Sequence, residues 1–105
     1  MILVINVGLK NSRCIVFDSN GKELFNKSTP IKTIIKNNFV EQSVKEIEKK
    51  IFSIFLEATK KFKNKINHIT VTTSSCCLVC LDNKNKPLMN SIIVSDSRSA
   101  KECNE

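Results

Sequence analysis

Two short polar stretches carry residue types able to do chemistry. The first is Gly8-Leu9-Lys10-Asn11-Ser12, set between two apolar runs and followed by Arg13. A turn opened by glycine can aim backbone N–H groups at an anion. The same residues also suit an ordinary hairpin turn, and a short glycine loop alone does not separate the two. The second stretch is Asp96-Ser97-Arg98. A carboxylate that accepts and a guanidinium that donates suit a hydroxyl-rich ligand. Equally, Asp96 or Ser97 is a good helix N-cap, with the pair a surface ion bridge. Between the two lies Thr73-Ser74-Ser75-Cys76-Cys77, which offers hydroxyls and thiols.

The elements that must position these groups follow from periodicity. The run 2–7 (ILVINV) suits a strand buried on both faces. Residues 13–18 make a second strand. Asn20-Gly21 then signals a hairpin, because both residues tolerate positive φ. A third strand over about 23–29 returns antiparallel and is closed by Pro30. Residues 31–40 are ambiguous, with a turn expected at Asn37-Asn38. Ser43 with Glu46 is a capping-box pattern. Val44, Ile47, Ile51, Ile54, Phe55, Ala58 and Phe62 then give one apolar helical face over about 43–63. Further strands are expected at about 68–73 (buried), 76–82 and 91–95, and a helical pattern begins at 97. Three antiparallel strands, a helix and more strands make an α/β chain whose order fits a ribonuclease-H-like (actin-like ATPase) partial domain.

Composition bounds the rest. The chain has 105 residues, 41% of them apolar, and a formal charge of +7. That is one domain or part of one, with a real core but modest stability, since so small a domain buries only about two-thirds of its unfolded-chain surface. No apolar run is long enough to span a bilayer, and MILVINVG lacks the basic flank and cleavage site of a signal peptide. The charge is mostly lysine spread from Lys10 to Lys101. With no Trp or Tyr and no Phe interleaved with basic residues, a small basic nucleic-acid-binding domain is supported by charge alone. The expectation is no nucleic acid and no membrane. Five cysteines at irregular spacing point to reduced thiols and a cytoplasmic location. Cys76, Cys77 and Cys80 have no second ligand pair, so they read as buried small hydrophobes, with Cys77 on the strand face opposite the other two. His68 has no nearby nucleophile and reads as structural or solvent-facing.

Four ordered stretches give the chain a resemblance to the N-terminal region of the FGGY carbohydrate kinases. ILVINVGLKNSRCIVFDSNGKEL resembles the family's opening hairpin, D-x-G-T-T-S-x-R followed by an "FD..G" turn. Glu41-Gln42-Ser43 is similar to the family's E-Q-D-P before the long helix. ITVTTSSCCLVCLDNKNKPL resembles the strand, substrate loop, strand and "LD..G.PL" turn. IIVSDSRSAKE resembles "ILW-x-D-x-R".

The resemblance implies transfer of the ATP γ-phosphate to a hydroxyl of a sugar or polyol. ATP and Mg2+ would be cofactors of the complete enzyme. It implies that Asn6, Gly8, Lys10, Asn11 and Arg13 face the phosphates and metal-bound water. Asn6 stands where the family has Asp; its amide oxygen still accepts from a metal-bound water but brings no charge. Leu9, Lys10 and Asn11 replace the hydroxyl-rich T-T-S, and Lys10 is a point charge for phosphate. Ser74, Ser75, Asp96 and Arg98 would border the sugar. The Gln and His of the family's G-Q-x-H-G loop are missing from Thr73-Ser74-Ser75-Cys76-Cys77, which puts xylulokinase-type recognition in doubt. The loop is nearer the T-C-S-L-V-x-L-D run of ribulokinase-like members. The Gly8 turn and the Asp96–Arg98 pair are expected to border a common cleft. No catalytic residue is expected in this chain, which reads as the first part of the N-terminal domain, lacking the second domain and inactive alone. Two alternatives remain: a non-catalytic remnant that acts as an interaction module, including a homodimer through an uncovered sheet edge, and the basic nucleic-acid binder.

Overall fold

The computed structural model describes residues 1–105. Strands β1 (Ile2–Val7), β2 (Asn11–Phe17) and β3 (Glu23–Pro30) form an antiparallel meander. A hairpin of β4 (Thr33–Lys36) and β5 (Phe39–Gln42) resolves the ambiguous segment, with Asn37 at φ 55° in its turn. Helix α1 (Val44–Phe62) crosses back, and β6 (His68–Thr73) joins the first sheet parallel to β1. That sheet has the order β3-β2-β1-β6. Strand β7 (Ser91–Ile92) closes a second sheet, β4-β5-β7, and a single turn, α2 (Ala100–Cys103), follows.

The helix forms where the apolar spacing and the cap place it. Ser43 Oγ accepts from the Glu46 N–H at 3.2 Å, whereas the Glu46 carboxylate pairs with Lys50 rather than returning to Ser43. Lys63, at φ 34°, ends the helix. One face of the sheet is set by alternation: Ser12, Cys14 and Val16 point to one side, with Leu3 directly across from Val16. Ile54 and Ala58 of α1 close over them, and Phe25 meets Phe62 edge to face at 6.2 Å. Ser12 lies fully buried in this row, its hydroxyl without a partner.

The hairpin at Asn20-Gly21 is present, but only Gly21 takes positive φ (79°). The Asp18 carboxylate accepts from the Asn20 and Lys22 N–H groups at 2.9 and 3.0 Å. The side chain therefore builds the turn that an Asn at positive φ would otherwise make. Asp82 repeats the arrangement on Lys84 and Lys86, with Asn85 at φ 60° where Gly21 stands in the first turn.

Several sequence expectations need correction. Residues 76–82 form no strand; they make only single bridges, Leu78 with Ile92 and Leu81 with Pro87. Cys76 at φ 61° turns the chain out of extended geometry. Cys76 and Cys77 are exposed and Cys80 half-buried; Cys14 is the buried thiol. Of 91–95 only Ser91–Ile92 is strand, since the Asp96 N–H turns back onto the Ile93 carbonyl. The last helix starts at Ala100 with no side-chain cap, so neither Asp96 nor Ser97 is its N-cap.

Strand β6 is exposed along its whole length. Its register puts Ile69 and Val71 on the face of Leu3 and Ile5, but α1 lies over β2 and β3, leaving these two 54% and 59% exposed. Strand β1 likewise is not covered on both faces; Ile2 is exposed. The molecule is extended, 52 × 28 × 21 Å, with a radius of gyration of 16.4 Å. A compact chain of this length would have about 13 Å.

Candidate functional site

The turn between β1 and β2 is built around one close approach. A Cβ on Gly8 would stand 2.4 Å from the Asn11 carbonyl oxygen, so only glycine fits there. Three contacts hold the turn from outside. The Ser74 N–H donates to the Val7 carbonyl at 3.1 Å, and the Ile31 N–H to the Lys10 carbonyl at 2.8 Å. Gln42 Nε2 donates to the Leu9 carbonyl at 2.6 Å. Lys10 and Asn11 are exposed on the turn. Asn6 and Arg13 sit directly across from each other on β1 and β2. The same cross-strand row continues to Ser28 on β3 and Thr72 on β6. Arg13 is exposed and takes part in none of the ion pairs. A cavity of about 250 Å³ opens beside this turn, lined among others by Gly8, Leu9, Gln42, Thr73, Ser74 and Cys77. Ser75 is exposed and lies outside its lining.

Asp96 and Arg98 form a separate, tightly bonded group. Asp96 Oδ1 accepts from Arg98 N (3.0 Å) and Nε (2.9 Å); Oδ2 accepts from Val40 N (2.6 Å) and Arg98 Nη2 (2.8 Å). Its side chain is 3% exposed, and all four acceptor positions are used. Arg98 Nη2 also donates to Glu41 Oε1 at 2.6 Å, and Asn90 Nδ2 donates to Glu41 Oε2 at 3.0 Å. The guanidinium lies 4.2 Å above the Phe39 ring centroid. Hydrogen bonds from Arg98 hold the Asp96 carboxyl well below the usual carboxylate range. Those from Arg98 and then Asn90 lower Glu41. Asp96 first, then Glu41, raises Arg98.

Both carboxylates are therefore depressed in the folded state, and their stabilisation is present above the ordinary carboxylate pKa of about 4 and lost as pH falls below it. Asp96→Asn should lower the urea midpoint at pH 7. The gap to the parent chain should narrow steadily between about pH 4 and pH 2. A gap independent of pH would show that the carboxylate charge is not what holds this segment.

Glu41 and Gln42 are adjacent on β5, so their side chains leave opposite faces of the strand. Gln42 reaches the Gly8 turn; Glu41 reaches Arg98. The structure thus brings Ser74 next to Gly8 but places Asp96 and Arg98 on the other side of β5, outside the cavity, so the common cleft expected for the Gly8 turn and the Asp96–Arg98 pair is not formed by these residues alone. Glu41, Gln42 and Phe39 also belong to the site, and nothing in their local sequence marks them as site residues. The available signal is the Glu41-Gln42-Ser43 stretch, which by itself resembles only a lead-in to the helix.

The family model for the N-terminal domain of the FGGY carbohydrate kinases matches residues 1–105, the whole chain. The chain belongs to the FGGY family of carbohydrate kinases. Its solved relatives agree in fold, the ribonuclease-H-like one of actin-type ATPases. Gluconate kinase from Lactobacillus acidophilus superposes with a TM-score of 0.89 at 25% identity, over 98% of this chain and 21% of its own. Xylulose kinase from the same organism gives 0.87 at 24%, over 99% and 22%. Plasmodium falciparum glycerol kinase, solved with ADP, gives 0.81 at 17%, over 99% and 22%. This FGGY chain therefore spans about a fifth of the length of the solved structures it matches. Comparison with curated protein sequences yields no match.

Proposed function

We propose that this chain supplies the phosphate-facing wall, and part of the sugar-facing wall, of an ATP-dependent carbohydrate kinase. The observation that carries the reading is the Gly8 turn: its close approach to Asn11 opens beside a cavity shared with Ser74. Backbone N–H groups of the turn, with Lys10, Asn11 and Arg13, bind the ATP phosphates. Ser74 and Ser75 offer hydrogen bonds to sugar hydroxyls, and Arg98 does so with the Nη1 edge that Asp96 and Glu41 leave free. Asp96, its oxygens already filled, serves by holding Arg98.

No group of three His, Cys, Asp or Glu is placed to seat a metal. Magnesium fits only as a partner of the ATP phosphates, where it would neutralise charge. Asn6 would accept a hydrogen bond from water bound to that magnesium. The resemblance puts the base that takes the hydroxyl proton downstream of these residues, so phosphoryl transfer, which rests on positioning and charge neutralisation, would need the rest of the kinase. No helix is long and apolar enough to cross a membrane. Five free thiols fit the cytoplasm.

The test is a nucleotide titration of the isotopically labelled chain. Millimolar Mg-ADP should shift the amide resonances of Gly8 through Arg13. ATP turnover with xylulose, ribulose, gluconate or glycerol should be undetectable. Unmoved Gly8–Arg13 resonances would remove the phosphate site, and sugar-dependent ADP release would show that the chain is catalytically complete. A second reading, pairing with another copy through β6, is favoured by the exposed Ile69 and Val71 on an uncovered edge. A monomer by sedimentation at high concentration would end it.

A further inference from the structure

Gln42 is 3% exposed, and its Nε2 has two acceptors, the Leu9 carbonyl at 2.6 Å and Thr33 Oγ1 at 3.1 Å. A carbonyl only accepts, which fixes the amide's orientation. Leu9 and Lys10 lie outside both flanking strands, so the Gln42 bond to Leu9, together with the Ile31 bond to the Lys10 carbonyl, anchors the apex of the turn. One residue earlier, Glu41 holds Arg98 and Asn90. The strand carrying both is paired on each side: to β4 through the whole hairpin, and to β7 through Glu41–Ile92 and Gln42–Ser91. It then enters the Ser43 cap of α1.

We infer that Glu41 and Gln42 form a two-sided brace, in which Gln42 positions the Gly8 turn and Glu41 positions the Arg98 segment. One rigid strand thereby sets the two against each other. That both segments face ligands rests on the function proposed above; the brace itself does not. Glu41 and Gln42 are positioning residues and need touch neither nucleotide nor sugar. Any displacement of the turn by a bound phosphate is transmitted to Arg98 through two neighbouring residues.

The brace makes an unusual pH prediction. In Gln42→Glu the ionised carboxylate faces the Leu9 carbonyl and cannot donate; once protonated it can, through its single O–H. Burial pushes that carboxyl's pKa up, toward neutrality. The reporters are the Ile31 and Ser74 amides, which donate to the turn's carbonyls, and the Arg98 Nε resonance across the strand. At pH 7 the variant should lose about tenfold in amide protection factor at Ile31 and Ser74, the scale of one hydrogen bond. The Arg98 Nε resonance should move as well. Both should return toward the parent values as pH falls, while the protection of Ile54 in the core stays unchanged. Parent-like protection at pH 7, or an Arg98 resonance indifferent to the substitution, overturns the brace. If Gln42→Glu does not fold, Gln42→Met removes the donor without adding charge. It should give the same loss at Ile31 and Ser74 with no pH dependence, and parent-like protection there again overturns the brace. A parallel Mg-ADP titration keeps the two ideas apart: unshifted Gly8 resonances with a titrating brace would sink the phosphate site alone.

Discussion

Gly8→Ala should destabilise the chain by about 1–3 kcal/mol, the range for forcing atoms into filled space. It should also abolish nucleotide-induced shifts in the β1–β2 turn. The added methyl would stand 2.4 Å from the Asn11 carbonyl oxygen, a backbone atom with no rotamer by which to escape. Nor can the turn simply widen, because Ser74, Ile31 and Gln42 hold its carbonyls from three sides. Gly21→Ala makes the useful contrast. Gly21 has positive φ but nothing within 4 Å of a new methyl, so that change strains the backbone without a clash. Its cost should be about 1 kcal/mol, with no effect at the Gly8 turn. Urea midpoints and amide spectra of the two variants separate the cases. Equal costs, with the Gly8–Asn11 resonances intact in Gly8→Ala, would mean that the turn adapts freely and is not a preformed anion cradle.

How much of this was legible beforehand depends on the range of the interaction concerned. Local rules placed α1 within a residue at each end, because Ser43 caps Glu46 and the apolar spacing is continuous. The β1–β2–β3 meander was readable from its apolar runs and turns for the same reason. Burial was less legible. ITVTT has the composition of a covered strand, yet whether Ile69 and Val71 are covered depends on where α1 lies, and α1 is drawn over β2 and β3. CCLVCLD failed as a strand because Cys76 is left-handed and its partner segment is two residues long. At the site, residue types were readable but partners were not. Nothing local says that Asp96 spends its acceptors on Val40 and Arg98, or that Glu41 joins them from 57 residues away. The Glu41-Gln42 pair is informative only once one strand is seen to send its two side chains to different segments.

The same placement of α1 decides where the chain is vulnerable. Leu3 is fully buried, directly across from Val16 and beneath Ile54 and Ala58. Leu3→Ala removes buried methyl groups and leaves a cavity, at a cost of about 2–5 kcal/mol. A domain commonly has about 5–15 kcal/mol in all, and only 10 of 105 residues are buried in this one, so its total belongs at the low end. The substitution should therefore leave a large unfolded fraction at 37 °C by circular dichroism. Val71→Ser, on the same sheet face but outside the cover of α1, should change the urea midpoint by no more than about 0.5 kcal/mol equivalent. A Val71→Ser cost approaching that of Leu3→Ala would show that β6 is covered in solution. The covering surface would be another copy of the chain, and the effect would then weaken on dilution. A Leu3→Ala cost below about 1 kcal/mol would mean instead that the core is not organised beneath α1, and the Gly8 turn would lose the rigid strands that hold it.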